Sequence, residues 1–408
     1  MTTPKPKEES VKARYLFLLA AVLGLFVAGP AVQAAEPIKI AQVVGVTGPY
    51  EAYTKQSITG FKMGLEYVTK GTNKVLGRPI EVILKDTHLK PDLGKQLLTE
   101  AYKDDKVDLA VGGVSSAVAL AMLPVAEEFK KLLIVEPAVA DSITGKAWNR
   151  YIFRTGRNSS QDAISNAVAV SKKGVFIATL AQDYAFGRDG VKAYKEAATA
   201  LGAKIVHEEY APVKTSDFTA PAQRIIKAMK DLKGEKYLFI IWAGKGNPLG
   251  KLNAMKLGEK YGIRISSGGN ILDALKLYKP LVGMVGAGYY YYENPKNEIN
   301  DWLVKEHKAR FKGAPPDFFT CGGFSAAVAV VKGLEKAGST DTEKLIAAME
   351  GMHFNTPKGE MVFRKDDHQA LQSMFAFKIK VDPKVPWAIP QLTRELTWKD
   401  MDIPIRNK

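Results

Sequence analysis

The chain has a single cysteine, Cys321, in 408 residues. No disulfide can form within it, so packing alone must hold the fold. Histidine is nearly as scarce: His88, His207, His307, His353 and His368 stand apart, without metal-ligand spacing. Gly45-Val-Thr-Gly48 runs into Pro49 and so lacks the third glycine of a dinucleotide fingerprint, and no Walker pattern occurs. Gly113-Val-Ser-Ser-Ala117 lacks the closing glycine of a nucleophile elbow. No catalytic constellation emerges, and nothing calls for a cofactor or a metal. The charge is lopsided, with 58 Lys and Arg against 43 Asp and Glu, a net +15. Yet the lysines are scattered singly, with no basic run and interleaved aromatics, which argues against nucleic acid and for a solvated basic surface.

One long apolar run is present, at the very start. Lys5, Lys7, Lys12 and Arg14 precede 13 apolar residues from Tyr15 to Val27, and Pro30 precedes Val32-Gln-Ala34-Ala35. This is the pattern of a secretory signal peptide covering residues 1–35, cut after Ala34 or Ala35. The competing reading, a retained anchor, is short of the ~20 residues a span needs. No later stretch reads as a membrane span. Export as a soluble protein is therefore expected, and the remaining length calls for two lobes; a periplasmic location and a monomeric state are further expectations.

The central stretch is Asp108-Leu-Ala-Val-Gly-Gly-Val-Ser-Ser-Ala-Val-Ala-Leu-Ala121. A short buried strand, two glycines that turn the chain and a serine-capped helix follow one another. Free N–H groups at such a helix start suit an anion, although a plain capped helix in an α/β core has the same local sequence. On either side, strands at 38–44, 79–84 and 132–135 alternate with helical patterns, and a second alternation follows at 175–180, 204–207 and 237–242. Helices are expected at 187–201, 218–232 and 248–261, then at 302–311, 321–336 and 342–349, with further strands near 286–292, 359–363 and 375–380. The fold class is α/β, with parallel sheets flanked by helices.

Taken in order, these pieces resemble a known family. Ile38-Lys-Ile with Thr47-Gly-Pro, Gly77-Arg-Pro-Ile-Glu-Val-Ile-Leu-Lys-Asp86 before Pro91, Val111-Gly-Gly-Val-Ser-Ser-Ala117 and Asp183-Tyr-Ala-Phe-Gly-Arg188 are similar to the type I periplasmic solute-binding proteins of the leucine/isoleucine/valine-binding class. The resemblance covers residues 37–380. It implies two Rossmann-like lobes joined by three hinge crossovers, a ligand in the cleft between them, and an ABC permease as membrane partner. The lobes would be 36–155 plus 292–356 and 156–291 plus 357–408, with crossovers near residues 154–158, 289–293 and 356–359.

The loops after the parallel strands supply the candidate contacts: Tyr53, Ser115, Ser116, Val139 and Ala140 in the first lobe, and Phe186, Trp242, Lys245, Asn270 and Tyr290 in the second. In the resemblance, Ser116 matches a serine that holds the ligand carboxylate, while Ala140 replaces a hydroxyl residue and offers only its N–H. At Ser266-Ser-Gly-Gly-Asn270 no acidic side chain stands where amino-acid binders place one against the ligand ammonium. An unpaired buried ammonium is costly. With the many aromatics, the expected ligand is an aromatic carboxylate of the benzoate or phenylpropanoid type. Branched-chain amino acids, or a sensing role on the same fold, are the alternatives.

Overall fold

The computed structural model describes residues 1–4 and 35–408. The leader's charged and apolar segments, and hence the signal-peptide reading, lie outside the described residues. Among the described residues the helices and strands run from Ile38 to Asp400.

The first sheet has six strands: β1 (Ile38–Val44), β2 (Lys74–Val75), β3 (Arg78–Asp86), β4 (Leu109–Gly112), β5 (Leu132–Val135) and β6 (Ile152–Arg154), in the order β2-β3-β1-β4-β5-β6. All neighbours are parallel except the short β2–β3 pair. The β4 and β5 runs are buried throughout, because helices cover both faces of a parallel sheet. The second sheet joins β7 (Val175–Gln182), β8 (Lys204–Ala211), β9 (Glu235–Ile241) and β10 (Ile263–Ser267) in the order β10-β9-β7-β8, again parallel. Each sheet has its own core, so the architecture is two doubly wound lobes.

Two antiparallel sheets complete the chain. β11 (Val285–Gly288) pairs with β15 (Met374–Lys380) and that strand with β16 (Ile389–Leu396), while β12 (His353–Thr356), β13 (Gly359–Phe363) and β14 (Ala370–Leu371) form a meander. The meander corrects one expectation. The chain does not leave the first lobe at 356–359, because Met361, Phe363 and Ala370 sit in the first core with Phe354. Phe377 and Ile379 belong to the second core, which puts the passage at Gln372–Ser373. The 248–261 helix is also two pieces, Leu249–Ala254 and Leu257–Tyr261, broken where Lys256 takes a left-handed φ of 54°.

Two helices of the first lobe set the floor of the cleft, Glu51–Val68 and Phe318–Ala337. They meet backbone to backbone. A Cβ on Gly60 would stand 1.9 Å from the Thr320 carbonyl oxygen, and one on Gly323 would stand 2.0 Å from that of Ser57. Only glycine permits this approach. The Phe318–Ala337 helix is long and apolar enough to cross a bilayer, contrary to the reading that no later stretch is, but most of it is buried in the first core.

Candidate functional site

The carboxyl ends of the two parallel sheets face one cavity of about 930 Å³, mouth included. The turn after β4 delivers Ser116, the loop after β5 delivers Val139, the loop after β7 delivers Phe186, and the ends of β9 and β10 deliver Trp242 and Asn270. Tyr53 enters from the first turn of the Glu51–Val68 helix. Six of the ten expected residues therefore meet here.

The other four do not line the cavity. Ser115 stands at the N-cap position of the Ser116–Phe129 helix in an extended conformation, but its side chain makes no capping hydrogen bond and is buried. Ala140 is fully buried with its backbone committed: its N–H donates to Ser116 Oγ at 3.2 Å and its carbonyl accepts from Arg154 Nη1 at 2.7 Å. Lys245 lies exposed beyond the strand end, and its N–H donates to the Pro49 carbonyl at 3.3 Å. Tyr290 points into protein, where its hydroxyl donates to Asn300 Oδ1 at 2.7 Å. None of the four rings of the tyrosine run 289–292 lines the cavity, so alternation along it does not turn any of them to the ligand space.

Arg157 and Asp162 line the cavity although neither was expected there. They sit around the start of the Ser159–Val170 helix. Asn158 and Gln161 close a reciprocal capping box at that helix start, which fixes the spacing of the residues on either side. Arg157 Nε donates to Asp162 Oδ1 at 2.9 Å. The guanidinium carbon lies 5.0 Å from the Phe318 ring centroid and 5.4 Å from that of Tyr289, close enough for cation–π attraction. Among the described residues no acceptor stands at Nη1 or Nη2. The arginine presents an unused fork to the cleft, the geometry that grips a carboxylate. Its sequence signal was weak, an arginine just before a helix cap at the first crossover.

Rings make up much of the wall. Tyr50, Tyr53 and Phe319 form a chain, with centroids 5.6 and 4.3 Å apart. Trp242 packs edge-on against Phe218 at 5.1 Å, and its indole N–H has no partner among the described residues. The polar ends of the tyrosines are used across the cleft. Tyr53 Oη accepts from the Gly244 N–H at 2.8 Å and donates to Asn270 Oδ1 at 3.3 Å, so the ligand space meets its ring. Burial raises the Tyr53 hydroxyl pKa and keeps it neutral. Asp317 accepts from Leu272 N at 3.0 Å, from Phe318 N at 2.7 Å and from Gln56 Nε2 at 2.8 Å. Burial pushes this carboxyl up to about 6.

Beneath the cleft a cluster of buried polar and ionisable side chains joins the chain passages. Thr155 Oγ1 donates to Glu136 Oε2 at 3.0 Å, Lys358 Nζ donates to Gln372 Oε1 at 2.8 Å, and that ammonium lies 3.6 Å from the Tyr289 ring centroid. Desolvation raises Glu136 to about 7 and lowers Lys358 to about 7. Cys321 is buried and its thiol is pushed well up by burial. Among the described residues no three His, Cys, Asp or Glu gather closely enough to hold a metal ion.

Residues 37–384 match the sequence model of the family described as periplasmic binding protein. A Leu/Ile/Val-binding protein homolog of Brucella suis is 26% identical over 341 residues, covering 81% of this chain and 86% of that one. A crystal structure of an ABC-type branched-chain amino acid transporter from Rhodopseudomonas palustris is 66% identical. It covers 91% of this chain and 100% of its own, with a TM-score of 0.82. A solute-binding protein of an ABC transporter from another strain of that species, solved with 3,4-dihydroxybenzoic acid, is 30% identical over 90% of this chain and 99% of its own, with a TM-score of 0.78.

Proposed function

The chain belongs to the periplasmic binding protein family and is the solute-binding component of an ABC-type importer, and on that basis we propose that its ligand is a small aromatic carboxylate. The observation that carries this is Arg157, a guanidinium in the cleft with its terminal nitrogens unpaired among the described residues and rings on two sides. Charged hydrogen bonds to a carboxylate contribute roughly 1.5–3 kcal/mol each. The aromatic end would lie against Tyr53, Phe186 and Trp242, with Val139, Ser116 and Asn270 completing the contacts. Offset or edge contacts between rings add about 0.5–1.5 kcal/mol apiece. The binding of 3,4-dihydroxybenzoic acid by the 30% identical relative supports the same ligand class.

In this reading the protein is exported through a cleaved signal peptide and closes over its ligand as a monomer. It then hands the ligand to a membrane permease without chemical change. Closure is a hinge motion whose population shifts because the ligand touches both lobes. A branched-chain amino acid is the second reading. The relatives named for such ligands favour it, and so does Asp162, an acidic side chain in the cleft at a place other than the one where the sequence lacks it.

The test is a set of melting shifts on purified protein, unfolded and refolded to strip ligand, against benzoates and cinnamates on one side and leucine-like amino acids on the other. Ligand at 100 times its Kd adds about 2.7 kcal/mol, a plain shift. Shifts with the aromatic acids alone are the expected result. Shifts with amino acids alone would replace the first reading by the second.

A further inference from the structure

Asp162 is the one acidic side chain among the described residues lining the cleft. Its Oδ1 is taken by Arg157 Nε, while no donor among the described residues reaches Oδ2, and the side chain keeps 30% of its exposure. Its backbone is pinned. The carbonyl accepts from Asn166 Nδ2 at 2.9 Å and from Ser165 Oγ at 3.1 Å, one turn on along the helix. A guanidinium is planar, and its Nη1/Nη2 edge adjoins the Nε side that holds Asp162. A ligand carboxylate gripped on the free edge therefore comes to rest beside the Asp162 carboxylate. The guanidinium shared by the two carboxylates offsets their repulsion, and a ligand hydroxyl donating to Oδ2 would satisfy the acceptor that Arg157 leaves free.

We propose that Asp162 is a specificity-determining residue whose Oδ2 accepts a hydrogen bond from a donor adjacent to the ligand's carboxylate. The preferred ligands are then carboxylates with a neighbouring hydroxyl, such as a 2-hydroxy acid or an ortho-hydroxylated benzoate, over their deoxy counterparts. A site built to accept a hydrogen bond discriminates against an analogue that lacks the donor, because its own acceptor is left unpaired. This rests on the reading of Arg157 as the carboxylate anchor.

Calorimetric titration of two matched pairs tests it: mandelate against phenylacetate, and 2-hydroxybenzoate against benzoate. Each pair is run on the natural protein, on Asp162→Asn and on Arg157→Gln, with ligand-free melting as the folding control. The substituted amide still offers an oxygen to Arg157 but replaces the free acceptor with a donor. The hydroxy acid of at least one pair should bind about tenfold tighter to the natural protein. Asp162→Asn should bring that ratio within about twofold and tighten the deoxy acid. Equal binding of both members in both pairs, or a ratio that Asp162→Asn leaves unchanged, overturns the role of Asp162. If none of the four acids binds the natural protein, or Arg157→Gln leaves their affinities unchanged, the anchor itself falls and the donor role with it.

Discussion

The hydroxyls of Tyr50 and Tyr184 lie 2.7 Å apart, one at the start of the first lobe's leading helix and the other at the start of the Ala185–Ala200 helix of the second. The bond ties the two walls of the cleft together. Losing a neutral hydrogen bond costs about 1 kcal/mol. Tyr50→Phe should therefore weaken ligand binding about fivefold, chiefly by faster release from a closed form that is easier to open. Stopped-flow fluorescence separates the two rates, and an unchanged release rate would remove the pair from the closing device.

Asp317 has two tasks. It caps its own helix through Phe318 N and holds Leu272 N at the start of the short second-lobe helix Leu272–Leu275. Asp317→Ala removes both acceptors. The melting stability should fall by about 1–2 kcal/mol, the usual cost of a lost cap, and ligand affinity should fall with it. A stability loss with unchanged affinity would mean that the contact to Leu272 does not contribute to closure.

The packing of the two floor helices leaves no room for a methyl group. Gly323→Ala would place a Cβ within 2.0 Å of the Ser57 carbonyl oxygen, which is backbone and cannot swing away. Overpacking of this kind costs typically about 1–3 kcal/mol. Urea denaturation reads the loss directly, and a neutral result would show that the helices shift apart without consequence.

Glu136 gives a pH dependence whose sign follows from burial. Its carboxyl is raised from its ordinary range, near 4.5, to about 7, mainly by desolvation, against the opposing pull of Thr155, Arg157, Lys358 and Arg154. Across that window the folded chain holds the proton that the unfolded chain has released. Stability from this group thus falls as pH rises from about 4.5 to about 7. Asp317 contributes in the same direction below about 6. Glu136→Gln should flatten the slope of unfolding free energy against pH in that interval, and an unaltered slope would assign it elsewhere.

The alternating α/β order was legible because buried parallel strands such as Leu132–Val135 are unbroken apolar runs and their helices repeat apolar residues at helical spacing. The tail and the edge strand β10 of the second sheet were less legible. Ala370–Leu371 is only two residues long, and β10 carries Arg264 and Ser266 in place of an apolar run. The break at Lys256 had no glycine to announce it. In the site, Tyr53, Ser116, Val139, Phe186, Trp242 and Asn270 were reachable because ligand loops follow strand ends. Arg157 and Asp162 were not, since the first lies in a crossover and the second on the first turn of a helix. Tyr290 shows the converse: a ring in an aromatic run is more often packing than contact.

The most direct measurement compares the affinity of a bound aromatic acid with that of its uncharged primary amide, on the natural protein and on Arg157→Gln. If Arg157 holds the ligand carboxylate, the natural protein should favour the acid by at least about tenfold and Arg157→Gln should lose most of that margin. An acid-over-amide preference that survives the loss of Arg157 would contradict the claim and move the anchor to the start of the Ser116–Phe129 helix.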